Sequence, residues 1–396
     1  VEFFFLILFF SGIFFYHKYF LLSFLNFQNF NLFEYTIIII FFFKLFKYFL
    51  DFSNLINLYE VLIWMYMAMI FFLIKFLVLK NKSLEIFIQN ILIFLSILCA
   101  MIIYLSFFLY LLGFEIASLW EIKDTLHYPY FGQYSVHFFG FVSGQNQAAF
   151  IIIPGYFLFL HKYSKSFFIL TFGLIFFTGT FILIKAKVAI LVLGLSIFYF
   201  LIKNQNYKKY LSKKILFTLY VITFFIYFLI THFLALEINT IHEGNKYLYD
   251  SYYTNYTLYN VFNYEIYGSL FLKLKIIAMD LASKNYYIFF NSINILQFDH
   301  SFKEYPIGIE VSSEYFSALS NYGIFGLLSF SILIFYYFYD FLKKYNSNKY
   351  ISKNLPYLLV LCLFSIEGIV ADFSHFQQIW IIFALIRISS KSLVDK

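Results

Sequence analysis

Arginine is all but missing from this 396-residue chain: Arg387 stands alone against 27 lysines. Charged residues of every kind make up 12% of the sequence and hydrophobic ones 62%, whereas soluble domains carry roughly 25% charge. That scarcity excludes an ordinary soluble domain. Cysteine is scarce as well. Cys99 and Cys362 both fall inside apolar runs, where a thiol behaves as a small hydrophobe, and nothing points to a disulfide framework. The scattered histidines lack ligand spacing, so no metal is expected. There is no glycine-rich nucleotide loop, so no ATP or other cofactor is expected. Nucleic acid is not among the expected partners.

What the chain does have is hydrocarbon. It holds 62 Phe and 37 Tyr, a bias that, with Ile, Asn and Lys, reads as nucleotide composition more than function. Apolar segments lie near 2–16, 36–50, 60–79, 86–112, 141–160, 166–184, 186–202, 215–235, 322–339, 355–371 and 376–388. Runs of this length suit helices crossing a ~30 Å hydrocarbon layer, and transmembrane β-barrels lack them. The expected fold is therefore all-α: one polytopic integral membrane domain over 1–396 with about eleven transmembrane helices. The opening VEFFFLILFF has no basic n-region and no small-residue cleavage site, and reads as a retained membrane helix.

Lysine bias in short loops orients the helices. Lys75, Lys80 and Lys82, then Lys162 and Lys165, then Lys203, Lys208, Lys209, Lys213 and Lys214, then Lys343, Lys344, Lys349 and Lys353 all belong on the cytoplasmic side. Segments 113–140 and 236–321 then face outward, and the C-terminal RISSKSLVDK faces inward. This parity is self-consistent from residue 86 onward. Before it, the first two helices are short, and Lys44 and Lys47 interrupt the second. The outer segment 236–321 carries nine acids and five lysines, a net charge of −4, and a connection of that length is rarely idle. Its stretch LKLKIIAMDLASKNYYIFF has apolar residues at helical spacing, which predicts an amphipathic helix on the membrane or over a cavity.

Three features carry possible chemistry. In HFFGFVSGQNQAAFIIIPG, only residues 148–160 are uniformly apolar before His161 and Lys162, so a spanning helix must reach back to about Phe141. Gln145, Asn146 and Gln147 then lie in its outer half, facing a wet cavity or bonding to neighbouring helices. Second, almost no loop separates the two helices around FTGTFILIKAKVAILVLGL, which puts Lys185 and Lys187 at the outer surface against the charge bias. They either hold an anion or snorkel to lipid phosphates. Third, Lys273 and Lys275 in the outer segment are either interfacial charges or partners for an anion. They precede SSEYFSALSNYGIFGLL, which enters a helix through Gly323 and Gly326. Together these describe a site for an anionic, lipid-linked, hydroxyl-rich substrate.

The order of these features resembles the O-antigen polymerase and O-antigen ligase superfamily, over about 130–340. The R-x-x-G then N-x-x-A pattern has its counterpart in His137-Phe-Phe-Gly140 and Asn146-Gln-Ala-Ala149; the S-R/K element in Ala186-Lys187; the loop arginine in Lys273 or Lys275; and H-N-x-x-L then G-x-x-G in Ser312 to Phe316 and Gly323 to Gly326. The departures are His137 for arginine, Ala186 for serine, a loop lysine for arginine, and Ser312 at the position that holds a ligase-like histidine, which His300 could fill instead. Without that histidine the resemblance favours a repeat-unit polymerase over a ligase.

That resemblance implies a glycosyltransferase of the bacterial inner membrane that passes a growing glycan from undecaprenyl diphosphate to a hydroxyl of another lipid-linked repeat unit on the periplasmic side. Its expected partners are the lipid-linked donor and acceptor, membrane lipids and a chain-length regulator protein. The chemistry needs cations on the leaving diphosphate: Lys187 first, then Lys273 and Lys275, with Lys185 in support. It also needs a proton acceptor, for which Glu310, Glu314, Asp299, His300 and His137 are candidates. Gln145, Asn146 and Gln147 would bind sugar hydroxyls or phosphate oxygens. The rival readings are a ligase or other lipid-linked glycan transferase, a flippase for the same substrate, and an inactive scaffold. Flippases usually show related halves and short outer loops, and neither is evident here. Glu367, Asp372 and His375 in EGIVADFSH read as helix terminators before cavity residues.

Overall fold

The computed structural model describes residues 30–50, 55–114, 116, 119–124, 134–142, 145–184, 188–204, 212–237, 258–261, 264–268, 313–345, 347–369 and 376–391. Ten helices and five short strands occupy them. In chain order these are α1 (Leu32–Leu50), α2 (Leu55–Lys80), α3 (Ser83–Leu111), β1 (Trp120–Asp124), β2 (Tyr134–Phe138), α4 (Gln145–Tyr163), α5 (Phe167–Ile184) and α6 (Val188–Lys203). They continue with α7 (Lys213–His232), β3 (Phe233–Glu237), β4 (Leu258–Val261), β5 (Tyr264–Gly268), α8 (Glu314–Lys344), α9 (Asn348–Glu367) and α10 (Gln377–Lys391). The expected helix at 2–16 lies outside the described residues.

Among the described residues four stretches, Asn57–Lys80, Ser83–Leu111, Phe167–Ile184 and Tyr322–Lys344, are long and apolar enough to cross a membrane. Their outward surfaces suit that role. On α5, Phe168 is 84% and Phe172 71% exposed, an arrangement that water penalises and lipid does not. Lipid supplies no hydrophobic drive for helices to associate, so close packing and hydrogen bonds must hold them together. Small residues provide the closest approach, between α3 and α4. Ala100, Ala148 and Ala149 are fully buried, Ser96 donates to the Ile151 carbonyl at 3.0 Å, and a Cβ on Gly155 would run into Ser96 and the Leu92 carbonyl.

Side-chain contacts sort the helix termini into two ends. At one end, Glu34 of α1 bonds Lys75 of α2 and Arg387 of α10, Glu85 of α3 meets Lys353 of α9 at 3.3 Å, Lys162 of α4 bonds Asn90 of α3, and Lys213 of α7 reaches the Lys343 carbonyl of α8. This is the lysine-rich end. At the other, the strands pack on the helices: Phe107 and Tyr110 of α3 meet Phe138 of β2. The β1–β2 pair is antiparallel, and a separate antiparallel sheet has the order β3-β5-β4. The helical character agrees with expectation, whereas the five strands were unforeseen.

The second unforeseen feature is inside α8. Gly323 has φ 64° and ψ −162°, a region essentially confined to glycine. The chain doubles back there. The rings of Tyr315 and Phe335 stack at 6.1 Å and those of Tyr322 and Phe330 at 6.5 Å, although twenty residues of straight helix would separate the first pair by ~30 Å. A Cβ on Gly326 would strike Tyr322 and the Ala318 carbonyl, so both glycines of this stretch serve the turn of a helical hairpin. The expected 322–339 helix is thus the longer limb, and residues 314–322 form a short limb lying against it.

Candidate functional site: a polar shelf at the strand end

Several helices stop well short of the strand end. Ser96 pairs with Ile151 and Gly140 abuts Ile102, so the start of α4 at Gln145 comes level with about Ile102. About nine residues of α3 continue past it, ~13 Å at 1.5 Å per residue. Parallel to α3, α9 is in step with it through Lys353–Glu85 and Tyr357–Gln89. Its last residue, Glu367, is therefore level with about Cys99, ~18 Å below the tip of α3. The start of α10 is at the same depth, because Phe376 lies edge-on to Phe150 of α4, which stacks on Phe364 of α9. The short limb of α8 starts there too.

This shelf corrects the sequence reading of α4. Helix was expected back to about Phe141; Phe141 and Val142 instead lie in a turn and bend, and the helix begins at Gln145. A helix whose outer end is covered by protein need not span the whole layer. Gln145, Asn146 and Gln147 accordingly form a first helical turn, whose backbone N–H groups have no intrahelical partner and whose dipole end is positive. Asn146 is half-buried and Gln147 exposed. Such a turn can hold hydroxyl or phosphate oxygens.

The starting residues of α8 dock onto the end of α9. The Ser313 hydroxyl and the Glu314 amide both donate to the Gly368 carbonyl at 3.0 Å, and the Tyr315 hydroxyl donates to the Ser365 carbonyl at 2.6 Å. These bonds satisfy carbonyls that a helix C-terminus leaves open, and the meeting dipole ends are of opposite sign. Tyr220 of α7 bonds the Ser365 hydroxyl, and Tyr227 donates to the Glu367 carboxylate. Glu367 does end its helix, as expected, and is 2% exposed. Asp372 and His375 lie outside the described residues.

Beside this cluster sits one that the sequence reading passed over. Lys44 and Lys47 of α1, read only as interruptions, are buried on the strand-end half of the bundle. Lys44 pairs with Glu60 of α2 at 3.2 Å, and Tyr322 donates to the same carboxylate at 2.7 Å. Both ammonium groups lie over the Tyr322 ring, at 5.3 and 5.5 Å. Glu314, Ala318 and Tyr322 follow one face of the short limb at helical spacing, and the Glu314 charge acts on Tyr322. The two clusters thus adjoin.

Of the residues singled out by sequence, Glu314 and the first turn of α4 lie on the shelf. His137 is buried at 2% in β2, opposite Glu121 in the strand register. Lys185 and Lys187 fall between α5 and α6, and they, Lys273, Lys275, Glu310, Asp299, His300 and the expected amphipathic helix lie outside the described residues. Lys44 and Lys47 had a legible signal: two cations three residues apart occupy one helical face, and lysine parity extended back through α2 puts that face on the outer half. Among the described residues no group of three or more His, Cys, Asp or Glu side chains is gathered as for a metal.

Fold and site together define a membrane-type helical bundle with a charged, hydroxyl-lined shelf sunk below one end. Comparison with protein-family models, curated proteins and solved structures finds no match for the chain.

Proposed function

We propose that this protein is a multi-pass enzyme of the bacterial inner membrane that polymerises undecaprenyl-diphosphate-linked oligosaccharide repeat units at the periplasmic face. One observation carries the reading. A shelf of amides, hydroxyls and carboxylates lies well below the tip of α3, beside buried lysines, where a lipid-anchored headgroup arrives without leaving the bilayer. In this reading the lysine-rich end is the cytoplasmic one under the positive-inside bias, which makes the shelf periplasmic, and the spans number eleven with the helix expected from sequence at 2–16. In this reading Lys187, Lys273 and Lys275 steady the departing diphosphate as point charges. Glu314, at the start of the short limb, is the described candidate to accept the acceptor hydroxyl's proton. The first turn of α4 holds sugar oxygens.

The test is the glycan ladder of a deletion strain. Loss of a polymerase leaves single repeat units on the acceptor; bare core with accumulated polymer would indicate a ligase, and substrate trapped in the cytoplasm a flippase. Lys187→Ala and Lys273→Ala are each expected to abolish chain extension while the protein still reaches the membrane. Normal ladders in both variants would refute their assignment to the phosphate. Activity is expected to survive EDTA, and a strict Mg²⁺ requirement would rule out handling of the diphosphate by lysines alone.

A further inference from the structure

Two lysines buried in an apolar helix, Lys44 and Lys47, both act on one partly open carboxylate, Glu60. Lys44 and Lys47 are 7% and 1% exposed, and the charge of each acts on Glu60. Glu60 itself keeps 23% of its side-chain surface open, so this ion pair can be reached from outside the packed core. One turn earlier on the same face of α2, Asn57 is buried to 2%, and neither its amide nitrogen nor its oxygen has a hydrogen-bond partner among the described residues. Buried amides are rarely left that way unless a ligand or water completes them.

From this arrangement we propose that Lys44, Lys47, Asn57 and Tyr322 form a subsite for a phosphate or diphosphate group, with Glu60 as the internal counter-ion that an arriving anion displaces. The donors suit a tetrahedral oxyanion. Two ammonium groups supply charge, the Asn57 amide supplies a neutral donor, and the Tyr322 hydroxyl, once released from Glu60, supplies another. Trp64 and Tyr322 lie under the Lys44 cation at 5.6 and 5.3 Å, holding it without a second carboxylate. Tyr322 immediately precedes the Gly323 turn, so exchange of its acceptor is felt where the short limb is hinged. The inference deepens the proposed function and rests on it for one point, that the phosphate belongs to a lipid headgroup. A free phosphate or diphosphate offers the same chemistry.

The purified chain in detergent is titrated with inorganic phosphate, inorganic diphosphate and farnesyl diphosphate, read by calorimetry and by emission of Trp64, whose ring carries the Lys44 ammonium. Saturable binding of a diphosphate is expected. Farnesyl diphosphate binding at least tenfold more tightly than inorganic diphosphate identifies a lipid headgroup, and equal affinities identify the free anion; both support the subsite. Lys44→Gln and Lys47→Gln should each weaken binding at least tenfold, with Lys44→Arg restoring it. Glu60→Gln should tighten binding about tenfold, because the competitor is gone. Melting temperatures show which variants fold, and Tyr322→Phe, which keeps the ring beneath the lysines and removes only the hydroxyl donor, supplies a milder change that should weaken binding. No saturable binding by the unmodified chain, or affinity indifferent to both Lys→Gln changes, overturns the proposal. A deletion strain with normal glycan chains alongside lysine-dependent diphosphate binding would defeat the functional reading and leave the subsite standing. Polymerase loss in the strain with no binding would do the reverse.

Discussion

Two buried acids, Glu34 of α1 and Glu314 of α8, serve different ends. Glu34 is fully enclosed, held by Lys75, by Nε and Nη2 of Arg387 at 3.3 Å each, and by reciprocal bonds with Asn31 at the start of α1. Every lone-pair direction is used, as in a capping box extended by two cations. Glu34→Gln leaves two cations facing a neutral amide, and breaking a buried pair in this way costs about 3 kcal/mol or more. A clearly lowered melting temperature in detergent is the expected outcome, and an unchanged one would mean that the triad contributes nothing to stability. Glu314 differs. Its backbone amide anchors the short limb to Gly368, a bond that Glu314→Gln keeps, so this variant should melt like the parent and lose chain extension. If extension persists, Glu314 is not the proton acceptor. The sequence made Glu314 visible because an acid beside Gly323 and Gly326 belongs to a recognisable order of motifs. Lys44 and Lys47 were misread because hydropathy along a line records the charges and not the Glu60 carboxylate they face, sixteen and thirteen positions away.

Elements were legible where length and apolar content decide them. All ten described helices coincide with expected segments, with ends displaced by a few residues at most termini, by seven at the start of α9 and by eight at the start of α8. That discrepancy has a physical cause. The limb 314–322 is too polar and too short to announce itself, and it exists because Tyr315 and Tyr322 find Phe335 and Phe330 across the turn. Such a hairpin needs a residue at φ 64°, and Gly323→Ala should cost about 1–3 kcal/mol, measured as a lower melting temperature. Stability equal to the parent would mean that the limb can open without penalty. Glycines elsewhere separate by the space around them. Gly155→Ala drives a methyl into Ser96 and the Leu92 carbonyl and must push α3 from α4, whereas Gly194, with nothing within 4 Å of a built Cβ, should accept alanine and gain roughly 1 kcal/mol of helix propensity. Thermal melts of the two variants should therefore move in opposite directions.

At the scale of the whole molecule, one spatial fact organises the rest: lysines crowd one end and the polar shelf lies toward the other. The lysine-rich end gathers Lys75, Lys162, Lys203, Lys213, Lys353 and Arg387 through contacts among nine helices and one loop, and the described ends of α1 and α2 fit the same alternation. The proposed function places that end in the cytoplasm, because translocating short basic loops is disfavoured. Orientation can be measured directly by cysteine accessibility. In a Cys99→Ala, Cys362→Ala background, Leu112→Cys places a thiol at the tip of α3, where the native side chain is 73% exposed. Lys214→Cys places one at the exposed start of α7, at the opposite end. A membrane-impermeant maleimide added to spheroplasts is expected to label the first at once and the second only after permeabilisation. Labelling in the reverse order would turn the shelf toward the cytoplasm, where no periplasmic glycan could be extended from it. Equal labelling in intact spheroplasts would mean that the end of α3 and the start of α7 do not lie on opposite faces of the bilayer, on which the depth of the shelf as a membrane site depends.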